Sequence, residues 1–244
     1  PSAVPPSSAP PATVPPSTVP TTAAPVRILV VGDSTGQALG AGLVAWAAAN
    51  PELAQVTSLA SPACGLITGA RVHGELGGLA AGCDELVAET VPEAIASLEP
   101  DVVLAMVTVG DVLTRSWDDG VTWLTPSDAE YRRHLEDAYA ATLSAWSGMS
   151  GATGPVVVWA RPPVAYPMWS ADPHPSFTDG SQEFIDSAIA RSGIEVVDVG
   201  AWMESSGMAA DTGARPDGLH LASAAAAEVA AWLGPELATV AGTR

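Results

Sequence analysis

The chain has 244 residues, 48% of them hydrophobic but only 5% aromatic, which is enough for one core packed through small side chains. Nine basic residues, all arginine, face 27 acidic ones, giving a net charge of −18. That balance excludes nucleic acid and anionic lipid as partners, because phosphate binding needs clustered positive charge.

Residues 1–25 carry nine prolines and no charge, with Ala, Ser, Thr and Val between them. Such a stretch forms no packed element; it reads as an extended, disordered linker or stalk of the kind found outside the cytoplasm. It has no initiating Met and no positive n-region ahead of an apolar core, so it is expected to come from a longer precursor and not to be a signal peptide. No apolar run approaches the roughly 18 residues of a membrane span, so this segment is not expected to enter a bilayer. One domain is expected over residues 26–244.

From Val26 onward, strand and helix patterns alternate. Short β-branched runs predict strands over 26–31, 55–59, 102–109, 156–159 and 194–199. Helical patterns fall over 35–49, 91–98, 127–146, 180–191 and 222–233, the last stopping at Gly234-Pro235. Ser127 with Glu130 predicts a capping box for the third helix. This alternation implies an α/β fold with a five-stranded parallel, doubly wound sheet. Right-handed crossovers then put every strand's C-terminal end on one edge, where such folds hold ligands.

The loops on that edge carry Gly32-Asp33-Ser34, Ser61-Pro-Ala-Cys-Gly65, Gly110-Asp111, Arg161-Pro-Pro163 and the segment ending Asp217-Gly-Leu-His220. Ser34 stands at a strand-to-helix corner, where a side chain is exposed and backbone N–H groups point outward. Spacing of three in a turn lets Asp217 reach Nδ1 of His220, leaving Nε2 to take a proton from a hydroxyl. Asp33 is expected to hydrogen-bond loop backbone.

Cys64 and Cys83 would close a loop of roughly 20 residues as a disulfide, adding about 3 kcal/mol and implying an oxidising compartment; two buried free thiols are the alternative. Arg161 either clamps an anionic substrate group or pairs with Asp33 or Asp111. Asp111 is a candidate for substrate contact or for setting the neighbouring loops. Trp117, Trp123, Tyr166 and Trp169 lie in long loops and either stack on sugar or acyl groups or pack those loops. His73, His134 and His174 lack partners at metal-ligand spacing; His73 is the one rival base, since the loop from Cys64 to Cys83 can cover the site.

Val31-Gly-Asp-Ser34 and Asp217-x-x-His220 resemble the first and last sequence blocks of the SGNH or GDSL hydrolases, and Gly65 matches the glycine of their second block. The resemblance spans the domain from Val26 to the last helix and implies a flavodoxin-like three-layer sandwich. It implies Ser34 as nucleophile, His220 as base and acid, Asp217 as the orienting carboxylate, and no cofactor or metal. The third block of that family is Gly-x-Asn-Asp, whereas this chain reads Thr108-Val109-Gly110-Asp111, so its oxyanion-donating asparagine is missing. Ser34, Gly65 and Gly110 or Asp111 are then the expected backbone donors, with Asp111, Arg161, Trp117 and Trp169 as substrate contacts.

The implied function is a serine esterase or O-acyltransferase acting through an acyl-enzyme on short O-acyl esters of an extracytoplasmic glycan. The protein would be secreted or tethered by an upstream segment, and SGNH domains joined to membrane O-acyltransferases are similar in their block III and stalk. A carbohydrate-binding module that keeps the fold without catalysis is the alternative. A flavodoxin-like phosphate binder is disfavoured, because a P-loop glycine pattern is absent.

Overall fold

The computed structural model describes residues 24–148, 154–166 and 181–242. In chain order, β1 (Val26–Gly32), α1 (Ser34–Ala49) and β2 (Ala54–Ser58) come first. A long connection follows, with β3 (Arg71–Val72), one-turn helices α2 (Leu76–Leu79) and α3 (Cys83–Glu85), a π turn at Leu86–Thr90, and α4 (Val91–Leu98). Then come β4 (Val102–Met106), β5 (Arg115–Ser116), α5 (Ala129–Gly148) and β6 (Val156–Arg161). The chain ends with α6 (Ser181–Ser192), β7 (Glu195–Asp198), α7 (Val199–Ser205) and α8 (Ser223–Gly242).

Five strands form one parallel sheet in the order β2-β1-β4-β6-β7, with Ile28 beside Val102 and Val30 beside both Ser58 and Leu104. The strand period of two divides the core. Ile28, Val30, Val102 and Leu104 pack toward Leu39, Leu43, Val229 and Leu233 of α1 and α8. Leu29, Val31, Val103 and Ala105 pack toward Ile95, Tyr139, Leu143 and Ile185 of α4, α5 and α6. The result is the expected three-layer sandwich. After β2 the chain returns past β1 to lay down β4, so the switch point lies between β1 and β4.

Three expected boundaries differ. The strand predicted over 102–109 ends at Met106, because the N–H groups of Thr108, Val109 and Gly110 all turn to the Asp33 carboxylate. The last helix runs on through Gly234-Pro235 to Gly242. Gly234 serves packing there: an added Cβ would lie 2.5 Å from the Trp46 ring. Ala231, whose carbonyl Pro235 cannot serve, is exposed, so water can satisfy it. The predicted capping box shifts as well: Asp128, not Glu130, reaches back, accepting from the Thr125 N–H at 2.7 Å ahead of α5.

Candidate active site

At the end of β1, Gly32 has φ +136°, and a Cβ there would lie 1.8 Å from the Met106 carbonyl oxygen, so the β1–β4 approach requires glycine. Asp33 follows as the N-cap of α1 and is wholly buried. Its Oδ1 accepts from the Thr35 N–H at 3.0 Å. Its Oδ2 accepts from the N–H groups of Thr108 and Val109 at 2.8 Å and of Gly110 at 3.0 Å. One carboxylate therefore both caps α1 and binds the loop after β4 across the switch point, the backbone role expected of it.

Ser34, the first residue of α1, thereby comes to the mouth of the crevice. Its Oγ lies 2.7 Å from His220 Nε2, and His220 Nδ1 lies 2.6 Å from Asp217 Oδ2. The other oxygen of Asp217 accepts from the N–H groups of Leu219 at 3.0 Å and His220 at 2.8 Å. Burial acts to raise the Asp217 pKa, but these bonds and the His220 imidazole outweigh it and hold the carboxyl below its ordinary value. An ionised Asp217 fixes the proton on Nδ1, so Nε2 is the acceptor for the serine hydroxyl.

The turn that carries this pair is built by residues the sequence reading passed over. Gly218, at φ +75°, lies against the Tyr166 carbonyl, where a Cβ would clash at 1.7 Å. Arg215, 2% exposed, donates to the carbonyls of Ala209, Val164 and Gly218 at 2.6 to 2.7 Å, tying the His220 loop to the loop after β6. The available signal was its place two residues before Asp217. Arg115 and Tyr139, also missed, brace the next loop.

The oxyanion side differs from expectation at one position. Gly110 has spent its N–H on Asp33, so it is not a free donor. The missing asparagine has a steric cause: a Cβ at Gly110 would lie 2.6 Å from the Gly65 nitrogen and 2.9 Å from the Cys64 carbonyl carbon. Gly65 in turn must be glycine, because a Cβ would fall 1.9 Å from Asp111 Oδ1. Among the described residues, the N–H groups of Ser34 and Gly65 donate to no protein acceptor.

Asp111 is wholly buried and does not reach substrate space, unlike the expected contact. It accepts from the N–H groups of Leu66 at 2.5 Å and Ile67 at 3.1 Å, and from the Tyr139 hydroxyl at 3.0 Å, so it sets the Gly65 loop. Burial pushes its pKa up, opposed by Arg115 and these donors. Cys64 and Cys83 form a disulfide, with Sγ–Sγ 2.00 Å, that anchors the same loop.

Arg161 takes the pairing alternative, but with other partners: Asp186 at 3.1 Å and Asp198 at 3.0 Å. Trp117 stacks on His134 at 4.2 Å between ring centroids, and Trp123 meets His73 edge-on at 4.7 Å, so both tryptophans and both histidines pack loops and helix. Trp169, His174 and nearly all of the 1–25 stalk lie outside the described residues. Among the described residues no cluster of three His, Cys, Asp or Glu side chains could hold a metal ion. A groove of about 610 Å³ opens from Ser34 and His220 between α1 and α8, floored by Ala38, Ala41 and Ala226.

A family model described as an SGNH domain fused to AT3 domains matches residues 7–231. The chain belongs to that family. Its class of enzyme is therefore serine hydrolase or acyltransferase. No curated protein sequence matches this SGNH domain. Solved structures that share its fold at low identity include three of different kinds. The periplasmic domain of a lipopolysaccharide acetyltransferase from Salmonella ser. Paratyphi A is 13% identical, with a TM-score of 0.55 over 87% of this chain and 84% of its own. A lipase/acylhydrolase from Enterococcus faecalis is 16% identical, with a TM-score of 0.52 over 88% and 96%. A carbohydrate esterase family 3 protein from Talaromyces cellulolyticus is 12% identical, with a TM-score of 0.52 over 90% and 99%.

Proposed function

We propose that Ser34, His220 and Asp217 are a catalytic triad with which this SGNH domain cleaves or transfers short O-acyl groups, acetyl foremost, on a glycan outside the cytoplasm. The observation that carries the reading is the unbroken hydrogen-bonded relay from Ser34 Oγ through both ring nitrogens of His220 to Asp217. Nε2 removes the Ser34 proton as Oγ attacks the ester carbonyl, and the carbonyl oxygen becomes an oxyanion held by the N–H groups of Ser34 and Gly65. The imidazolium then protonates the departing alkoxide, leaving an acyl-serine. Water or a sugar hydroxyl, deprotonated by Nε2, attacks that ester and returns the proton to Ser34. Water makes the domain an esterase; a bound sugar hydroxyl makes it a transferase.

Support for a glycan ester comes from the carbohydrate esterase and lipopolysaccharide acetyltransferase among the solved structures. A disulfide supports an oxidising compartment. The family description, with its AT3 fusion, supports a membrane acyltransferase joined through the proline-rich linker.

A serine-directed phosphonate should label the purified chain, and Ser34→Ala should abolish both labelling and hydrolysis of a short-chain aryl ester. Labelling that survives Ser34→Ala would sink the triad. A wild-type chain that takes no label yet binds acylated oligosaccharide would instead be a binding module. Oligosaccharide added during aryl acetate turnover distinguishes the two reactions, since only a transferase returns acetylated sugar.

A further inference from the structure

Apart from the two cores that enclose the sheet, a third apolar cluster joins Ala63, Val109, Leu113 and Leu219, each buried. Its members come from three separate loops: Ala63 follows β2, Val109 and Leu113 follow β4, and Leu219 stands in the turn before α8. Val72, Leu76 and Ala80 from the connection between β2 and α4, and Ala165 from the loop after β6, pack against it.

Two of these residues adjoin the groups of the triad reading. Leu219 directly precedes His220, and its N–H donates to Asp217 Oδ1 at 3.0 Å, so holding its side chain holds the turn that carries the base. Ala63 stands two residues before Gly65, the second oxyanion donor.

The backbone at Ala63 is unusual. Ser61-Pro62-Ala63-Cys64 closes as a β-turn, with the Cys64 N–H donating to the Ser61 carbonyl at 3.1 Å, and Ala63 has φ +61°. Proline second and positive φ third is the form of a type II turn, whose third position ordinarily falls to glycine. Alanine in this left-handed region is strained where glycine is not. The turn alone therefore favours glycine, and what alanine adds is a methyl group buried in the cluster with Leu219. On the other side of Gly65, the Leu66 and Ile67 N–H groups are held by Asp111. Ala63 supplies the hold from the upstream side.

We infer that Ala63 and Leu219 are positioning residues, which set the Gly65 N–H and the His220 imidazole at a fixed separation through their shared cluster. The chemistry needs that separation: the developing oxyanion and the departing oxygen sit on one carbon, so donor and base must be aligned together. The inference rests on the proposed triad.

Kinetics of aryl ester hydrolysis, the rate of phosphonate labelling and thermal melting test it in Ala63→Gly, Leu219→Ala, Leu219→Met and Ser34→Ala. Ala63→Gly suits the positive φ, so Tm should hold or rise. Its kcat and labelling rate should nevertheless fall about tenfold, with KM within about twofold of the wild type. Leu219→Ala should lower kcat in the same way and, because it empties a buried site, lower Tm as well; Leu219→Met should recover most of both. Turnover by Ser34→Ala would remove the triad and this inference with it. An inactive Ser34→Ala beside an Ala63→Gly that keeps wild-type kcat, or that loses kcat only as far as it loses folded protein, would overturn the positioning role alone.

Discussion

Replacing Asp33 by Asn tests whether one buried carboxylate organises the site. Asn keeps the shape but offers one acceptor oxygen where Asp offers two. In the better orientation its carbonyl faces Thr108, Val109 and Gly110, and its amide then faces the Thr35 N–H, donor against donor. Three charge-assisted bonds become neutral ones, a loss of about 1 kcal/mol each, and the orphaned Thr35 N–H adds about 1 to 3 kcal/mol. The sum, about 4 to 6 kcal/mol and an upper bound because the bonds share one group, is a large fraction of a typical domain stability of about 5 to 15 kcal/mol. Urea unfolding should show a lower midpoint at unchanged slope. Ester turnover should fall as well in the population that remains folded, since Ser34 and the Gly65 loop lose their common anchor. A stability loss under about 1 kcal/mol would refute the account of Asp33 as the link across the switch point.

Gly110→Asn restores the residue of the family's third block but should lower kcat/KM and Tm, because its Cβ meets the Gly65 nitrogen; a rise in kcat/KM would contradict that close approach. Reducing the Cys64–Cys83 disulfide, which closes a sequence separation of 19, should cost about 3 kcal/mol of stability and lower kcat, measured by thermal melting and aryl ester turnover with and without a phosphine reductant. Asp217 has a folded pKa below its unfolded value, so its contribution is complete above the unfolded value of about 3.9 and is lost as pH falls through the lower folded one. The gap in urea midpoint between wild type and Asp217→Asn should therefore be constant at neutral and mildly acidic pH and close only in strong acid. A gap that widens toward acid would reverse the assigned direction.

Much of this was legible without the fold. Hydrophobic runs of period two and helical runs between them determined the parallel sheet, and every main strand except β4 ends within about two residues of its predicted boundary, the usual uncertainty of element ends. Local spacing also determined the Asp217–His220 pair, since three residues in one turn suffice to bring a carboxylate to Nδ1. The Gly32-Asp33-Ser34 corner was readable for the same reason: its chemistry is that of one strand-to-helix turn.

What the sequence could not supply depends on approach between segments far apart in the chain. Whether Gly110 offers its N–H to substrate was decided by Asp33, 77 residues away. Whether Asp111 touches substrate was decided by the Leu66 and Ile67 N–H groups closing over it, and whether Arg161 clamps an anion by Asp186 and Asp198 coming within its reach. Gly234-Pro235 reads locally as a stop, yet packing of α8 on Trp46 carries the helix through. Residue type and short spacing determine which chemistry the chain can perform, because those preferences act over one turn. Only tertiary contact decides which polar groups remain unspent, because a hydrogen bond made across the fold removes a donor that no local pattern marks.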